Sequence, residues 1–263
     1  MELTLTALIL GVVEGVTEFL PISSTGHLII VSHYFNFSGE FANMFNVVIQ
    51  LGAILSVVVY FWRRLLPSNA KDIELWVKVL VGFIPALVVG GLLGKKIEDY
   101  LFNTSVVSAA LIVWGIILIW AENKSRRHIP TINNMQNLGY KTAFYIGIMQ
   151  IFAMIPGTSR SAATIIGAML LGTSRIVAVE FSFFLAIPTM FGAAAYSLMK
   201  MGVGNISPDQ WVKLSIGFIT SFVVALIVIS FIMNYIKRHT FKPFGYYRIA
   251  LGILIIILST VKV

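Results

Sequence analysis

The sequence contains no cysteine, which removes disulfide frameworks, thiolate metal sites and cysteine nucleophiles, and says nothing about compartment. Charge is scarce as well. Only 11% of the 263 residues are charged, less than half the roughly one quarter that keeps a soluble domain wet, so an ordinary water-soluble enzyme is excluded. Disorder is excluded by the opposite property, a hydrophobic content of 58% and a mean hydropathy of +0.90. Acidic residues are the rarest charged class, 11 against 19 Lys and Arg, for a net charge of +8. In a soluble chain that balance points to nucleic acid. Here the basic residues fall in short loops between apolar segments, which is how membrane topology is encoded, and nucleic acid is not an expected partner. Met1-Glu2-Leu3 lacks a basic n-region and no small-residue cleavage site follows, so a removable signal peptide is not expected.

What is abundant is apolar sequence. Runs near 41–62, 75–94, 104–121, 176–199, 211–236 and 245–261 are each long enough to cross a bilayer, which takes about 17 to 25 residues. Two further stretches, 4–34 and 141–172, are apolar at both ends but interrupted by Pro21-Ile22-Ser23-Ser24-Thr25-Gly26-His27 and by Pro156-Gly157-Thr158-Ser159-Arg160-Ser161. Polar, non-helical backbone survives at membrane depth only where protein or a wet cavity surrounds it, so each is expected to be a re-entrant helix-loop-helix.

A shift of about 136 residues lays Gly11 on Gly147, Glu14 on Gln150, Ser23 on Ser159 and Phe45 on Phe181. Farther along, Trp76-Val77-Lys78 and Gly82-Phe83-Ile84 match Trp211-Val212-Lys213 and Gly217-Phe218-Ile219. The expected fold is an all-α polytopic membrane protein, one integral membrane domain over 1–263. Its two inverted-topology repeats, 1–128 and 129–263, each hold a re-entrant hairpin and three transmembrane helices. Thirteen of the 19 Lys and Arg, Arg63, Arg126, Arg175 and Arg248 among them, fall on one side in this drawing. Five fall on the other and Arg160 lies within the membrane. The positive-inside rule makes the thirteen-residue side cytoplasmic, leaving both termini and the first hairpin's entrance outside.

Glu14 and Glu18 stand four apart in an apolar helical stretch, so both carboxylates share one face. A helix end turned to water would merely solvate them. Buried, two adjacent carboxylates share a proton or bind a hard cation such as Mg²⁺ or Ca²⁺. Ser23, Ser24 and Thr25 suit helix capping, but His27 beside them at membrane depth also fits nucleophilic attack or proton transfer. In the second hairpin a helix opens at Ser159-Arg160-Ser161 and runs through Thr164. Its free N–H groups, dipole end and guanidinium make an anion site, most plausibly for phosphate. A structural ion pair of Arg160 with Glu14 or Glu18 is the alternative. His33, His128, His239 and Glu180 fall at segment ends or in loops and read as interfacial. Carboxylates for metal, hydroxyl and imidazole for chemistry and an Arg-bearing helix terminus together suit metal-assisted phosphoryl transfer on a lipid phosphate or diphosphate.

Gly11-Val12-Val13-Glu14-Gly15-Val16-Thr17-Glu18-Phe19-Leu20-Pro21-Ile22-Ser23-Ser24-Thr25-Gly26-His27, followed by Pro156-Gly157-Thr158-Ser159-Arg160-Ser161-Ala162-Ala163-Thr164, closely resembles the bacterial undecaprenyl-diphosphatase, or bacitracin resistance protein, family. The similarity spans nearly the whole chain. It departs at Ala162, where many members carry Gly. The resemblance implies hydrolysis of undecaprenyl diphosphate to the monophosphate and inorganic phosphate, recycling the lipid carrier of peptidoglycan synthesis. It also implies a requirement for Mg²⁺ or Ca²⁺ and a site in the inner membrane that opens outward. By that resemblance Glu14 and Glu18 bind metal and activate the nucleophile. Ser24 is nucleophile or phosphate ligand, with His27 as base or acid, although His27 or water is left open as the attacking group. Arg160 holds the diphosphate, assisted by Ser23, Thr25, Gly157, Ser159, Ser161 and Thr164. The partners expected are the lipid substrate and membrane lipids, and a homodimer is allowed. A transporter or flippase remains the competing class, because broken helices in inverted repeats are its hallmark.

Overall fold

The computed structural model describes residues 2–68, 70–202 and 206–261. The chain ends, Met1 and Val263, and Lys262 from the charge count lie outside the described residues. Eleven α-helices follow one another among the described residues: α1 (Glu2–Thr17), α2 (Ser24–Tyr34), α3 (Glu40–Tyr60), the single turn α4 (Trp62–Leu65), α5 (Ala70–Leu101), α6 (Thr104–Ser125), α7 (Tyr140–Ile151), α8 (Arg160–Leu170), α9 (Arg175–Met201), α10 (Pro208–Tyr235) and α11 (Lys242–Val261). Six of them, α3, α5, α6, α9, α10 and α11, are long and apolar enough to cross a membrane. They sit on the six apolar runs of the sequence, although α5 extends to 32 residues. At 1.5 Å per residue that is about 48 Å, more than a hydrocarbon core needs. The helices flanking the two polar interruptions are short, 16 and 11 residues in the first and 12 and 11 in the second.

The outer face is what water would not tolerate. Leu87, Val88 and Leu92 on α5, Ile227 and Phe231 on α10, and Ile253 and Ile257 on α11 are all exposed. Contiguous apolar surface of this extent marks contact with lipid, and the chain is a multi-pass membrane protein. Inside, the largest apolar cluster joins Phe19 of the first interruption to α3, α6, α8 and α9.

Helix pairing follows small residues, as it does where lipid supplies no hydrophobic drive between helices. Helix α1 packs on α10 and α7 packs on α5, with a glycine on each side of both crossings. A Cβ on Gly11 would lie 2.7 Å from the Gly217 carbonyl, and one on Gly147 would lie 2.1 Å from the Gly82 carbonyl. The members of these pairs are the residues that the sequence shift superimposes, Gly11 with Gly147 and Gly82 with Gly217. Each short N-terminal helix thus packs against a long helix of the opposite half.

Two charged residues stand elsewhere than their sequence positions lead one to expect. Glu180 is buried against protein, where the partly exposed Arg64 donates to its carboxylate at 2.5 Å. Arg248 is wholly buried in α11 instead of lying in a loop, so it drops out of the charge count. Twelve basic residues against five leave the asymmetry in the same direction.

Candidate active site

Both polar interruptions fold alike. The helical hydrogen bonding of α1 runs one residue past Thr17, with Glu18 N–H donating to Glu14 O at 2.9 Å. The chain then turns until Ser23 caps α2, accepting from Gly26 N–H at 3.3 Å. In the second interruption a 3₁₀ turn (Phe152–Met154) and Gly157, at φ 91°, lead to Ser159, which caps α8 by accepting from Ala162 N–H at 3.2 Å. Ser23 and Ser159 both hold positive φ, 74° and 71°. A non-glycine residue in that region costs about 1–3 kcal/mol and persists only where surrounding structure fixes it.

The two loops meet through charge. Ser24 Oγ donates to Glu18 Oε2 at 2.6 Å, and Arg160 Nη2 donates to Glu18 Oε1 at 2.9 Å. Arg160 Nη1 reaches back to the Ser182 carbonyl on α9 at 2.8 Å. All three side chains are more than nine-tenths buried. An ion pair this dry is stabilising only with good geometry and further hydrogen bonds, and both are present.

These groups line a cavity of about 140 Å³, whose wall holds Glu18, Ser24, Thr25, Gln50, Gly157, Ser159 and Arg160. That volume is below the range of pockets that swallow a drug-sized ligand, so it suits a polar headgroup with its chain left outside. A larger hollow of about 660 Å³ opens on the surface of α10 beside Ile227, Phe231 and Tyr235. Its wall also holds Ser230, Asn234 and His239, and no carboxylate, Lys or Arg.

Two buried groups here have polar atoms without a protein partner among the described residues: both carboxylate oxygens of Glu14, and Nε of Arg160. Glu14 lies within electrostatic reach of both Glu18 and Arg160. An orphaned carboxylate beside a second carboxylate is a hard-oxygen donor set for Mg²⁺ or Ca²⁺. No cluster of three or more His, Cys, Asp or Glu occurs among the described residues. The residues therefore fit an ion held by two glutamates that takes its remaining ligands from water and substrate oxygens, the usual habit of Mg²⁺.

The other sequence candidates take different places. Ser161 Oγ donates to the Leu20 carbonyl at 3.1 Å, tying one loop to the other. Thr164 Oγ1 donates to the Arg160 carbonyl at 2.9 Å and lies 2.6 Å from Ser182 Oγ, under the site rather than in it. His27 is half-buried outside the cavity wall. Its Nδ1 is 2.7 Å from the Ser23 carbonyl, which can only accept, so the proton sits there and Nε2 accepts from Tyr247 O–H at 2.7 Å. Glu18, not His27, is the basic group in contact with Ser24. Gln50, Ser182, Tyr247 and Arg248 are additions the sequence did not single out. The signal for two of them was available: a Gln in the middle of α3 and an Arg six residues beyond the first residue of α11 are costly at membrane depth without a partner.

An all-helical, multi-pass membrane protein with an acid, a hydroxyl and an arginine converging at a buried polar break is the class so defined. Residues 7–254 match the family model described as Bacitracin resistance protein BacA, and the chain belongs to that family. It is 51% identical over 262 residues to the undecaprenyl-diphosphatase of Lactiplantibacillus plantarum, covering 95% of each chain. Undecaprenyl-diphosphatase 1 of Clostridioides difficile is 51% identical over 260 residues, with 95% of this chain and 94% of the relative covered. The undecaprenyl-diphosphatase of Streptococcus thermophilus is 48% identical over 270 residues, with 98% and 94% covered.

Proposed function

We propose that this protein hydrolyses undecaprenyl diphosphate to undecaprenyl phosphate and inorganic phosphate, and so recycles the carrier lipid and gives resistance to bacitracin. The observation that carries the reading is the contact of Ser24 Oγ with Glu18 at 2.6 Å inside a cavity that Arg160 also lines. Glu18 takes the Ser24 proton as Oγ attacks the terminal phosphorus. The bond from that phosphorus to the bridging oxygen breaks, and the lipid monophosphate leaves. Water then cleaves the phosphoserine, releasing inorganic phosphate and restoring the hydroxyl. Arg160, whose Nε is free, and the N–H groups at the start of α8 offset the charge that develops on the phosphoryl oxygens. A divalent cation on Glu14 and Glu18 would neutralise the diphosphate and polarise its P–O bonds. Thr25, Gly157 and Ser159 border the headgroup, while Ser23, Ser161 and Thr164 hold the loops that carry it. His27 enters proton transfer when Nε2 exchanges Tyr247 for a substrate or water oxygen.

The superimposable Gly11–Gly217 and Gly147–Gly82 crossings support two inverted repeats over 1–128 and 129–263, each with a re-entrant helix-loop-helix ahead of three spans. With the basic residues cytoplasmic, the site opens outward from the inner membrane and both termini lie outside. The same crossings also favour a second reading, passage of a lipid phosphate across the membrane without cleavage. Phosphate release from the purified chain with undecaprenyl diphosphate decides between them. Release that chelator abolishes and the Glu14→Ala/Glu18→Ala variant lacks is the expected result. A folded chain that binds the lipid and releases nothing under any metal supports transport.

A further inference from the structure

The second buried guanidinium of this molecule has no acid to answer it. Arg248 is wholly buried, and among the described residues no carboxylate lies within ion-pair distance of it. A lone cation at membrane depth is expensive and is rarely kept without a use. Its three hydrogen bonds all go to backbone carbonyls of the two polar loops. Nη1 donates to Pro21 O at 3.2 Å, and Nη2 donates to both Gly157 O and Thr158 O at 2.8 Å. The planar fork of an arginine is what allows one side chain to bridge two backbones in this way.

We infer that Arg248 is a positioning residue that clamps the two interrupted loops to each other, setting the distance between Ser24 and Glu18 on one side and Arg160 on the other. The inference rests on the hydrolytic reading above. A peptide unit is planar, so fixing the carbonyl of Thr158 also fixes the N–H direction of Ser159, the positive-φ residue that lines the cavity and precedes Arg160. Pro21 O stands two residues before Ser23 and three before Ser24, the place that Gly157 O holds before Ser159 and Arg160. The strain at Ser23 and Ser159 needs an outside agent to hold it, and Arg248 is bonded to the carbonyl directly before Ser159 and to the one two residues before Ser23. The neighbouring Tyr247 reaches His27 on α2, so α11 grips the first loop's helix as well as both loops.

The test is the full chain carrying Arg248→Met, which keeps the stem and removes the fork, beside Arg248→Lys, which restores a point charge. Because the chain has no cysteine, nitroxide labels at Ile29→Cys on α2 and Leu171→Cys at the end of α8 report the spacing of the two loop helices without background. Monodisperse Arg248→Met is expected to lose about 100-fold in kcat, the scale of an ångström of misplacement, with the loss in kcat rather than KM. Its label-to-label distance distribution should broaden, and Arg248→Lys should recover part of both. A distribution as narrow as that of the unsubstituted chain, or kcat within about threefold of it, a barrier change under 1 kcal/mol, overturns the clamp. If Arg248→Met aggregates, Arg248→Lys decides, since unsubstituted values for both readouts in that variant overturn it equally. Absence of hydrolysis by the unsubstituted chain would sink the hydrolytic reading instead, while the distances still report on the clamp.

Discussion

The two polar interruptions are built on one backbone plan and carry opposite chemistry. Each sets a serine at positive φ to cap a short helix, and each is preceded by a helix whose glycine meets a glycine of the other half. At equivalent places, however, the first has Glu14, Glu18 and His27 where the second has Gln150, Met154 and Ala163, and the first has Ser24 where the second has Arg160. The shared features hold the loops. On the proposed mechanism the unlike ones divide the labour, with proton acceptor and nucleophile on one side and anion recognition on the other. The strongest polar contact between them, Arg160 to Glu18, crosses the division, so neither loop is complete alone.

The largest test of that division is Glu18→Gln, expected to cut turnover about 1,000-fold, in the range for removing a positioned general base. It also removes the carboxylate to which Arg160 donates at 2.9 Å. Adding Met154→Glu, which puts a carboxylate at the equivalent place in the second loop, should restore nothing. Phosphate release from the double variant at even a tenth of the unsubstituted rate would mean that the loops are interchangeable, and the comparison would break there.

The packing side of the comparison is tested at the paired crossings. Gly147→Ala drives a methyl to 2.1 Å from Gly82 O, whereas Gly11→Ala meets Gly217 O at 2.7 Å. Overpacking of this kind costs about 1–3 kcal/mol, with Gly147→Ala at the upper end and Gly11→Ala below it. Thermal unfolding in detergent reads both, and a reversed order would show that the two crossings are not equivalent supports.

Gln150→Glu probes the vacant acidic position directly. Gln150 Nε2 donates to Thr189 Oγ1 at 3.2 Å, and its Oε1 has no partner among the described residues. Glutamate removes the donor and leaves a buried acid unanswered, for a loss of about 1–2 kcal/mol. Turnover per folded molecule should stay within a factor of two or so, because Ser24 and Glu18 are untouched; a gain in activity would place part of the chemistry in the second loop.

How much of this was legible in the sequence depends on the range of the interaction. The six spans showed because apolar runs are local. The self-similarity of the two halves shows in the spacing of Gly11, Gly82, Gly147 and Gly217, and these four glycines meet in pairs at the helix crossings. Glu14, Glu18 and Arg160 stood out because a charge inside an apolar run is costly on its own terms. What stayed hidden was pairing at a distance. Arg248 bonds residues 227 and 91 positions away, so its cost inside a span was visible but its partners were not. Likewise the Ser24–His27 spacing suggests a hydroxyl–imidazole contact, but the helix sends His27 outward to Tyr247 on α11 and leaves Glu18 to meet the hydroxyl.

That detour of His27 supports the smallest and most discriminating prediction. Ala163, the equivalent residue in the second half, is buried and needs no partner, so the His27–Tyr247 contact is a feature of the first loop alone. Tyr247→Phe removes one partly exposed hydrogen bond, worth about 1 kcal/mol or less, and should alter turnover by no more than about threefold. His27→Ala separates two roles for the imidazole. If it carries a proton during turnover, its loss costs 100-fold or more and the bell of the pH–rate profile loses a limb, while Tyr247→Phe leaves the profile intact. If the ring serves only to tie α2 to α11, the two variants are equally mild. In that case the acid–base work of the first loop falls to its carboxylates, and the contrast between the loops reduces to Glu14 and Glu18 against Gln150 and Met154.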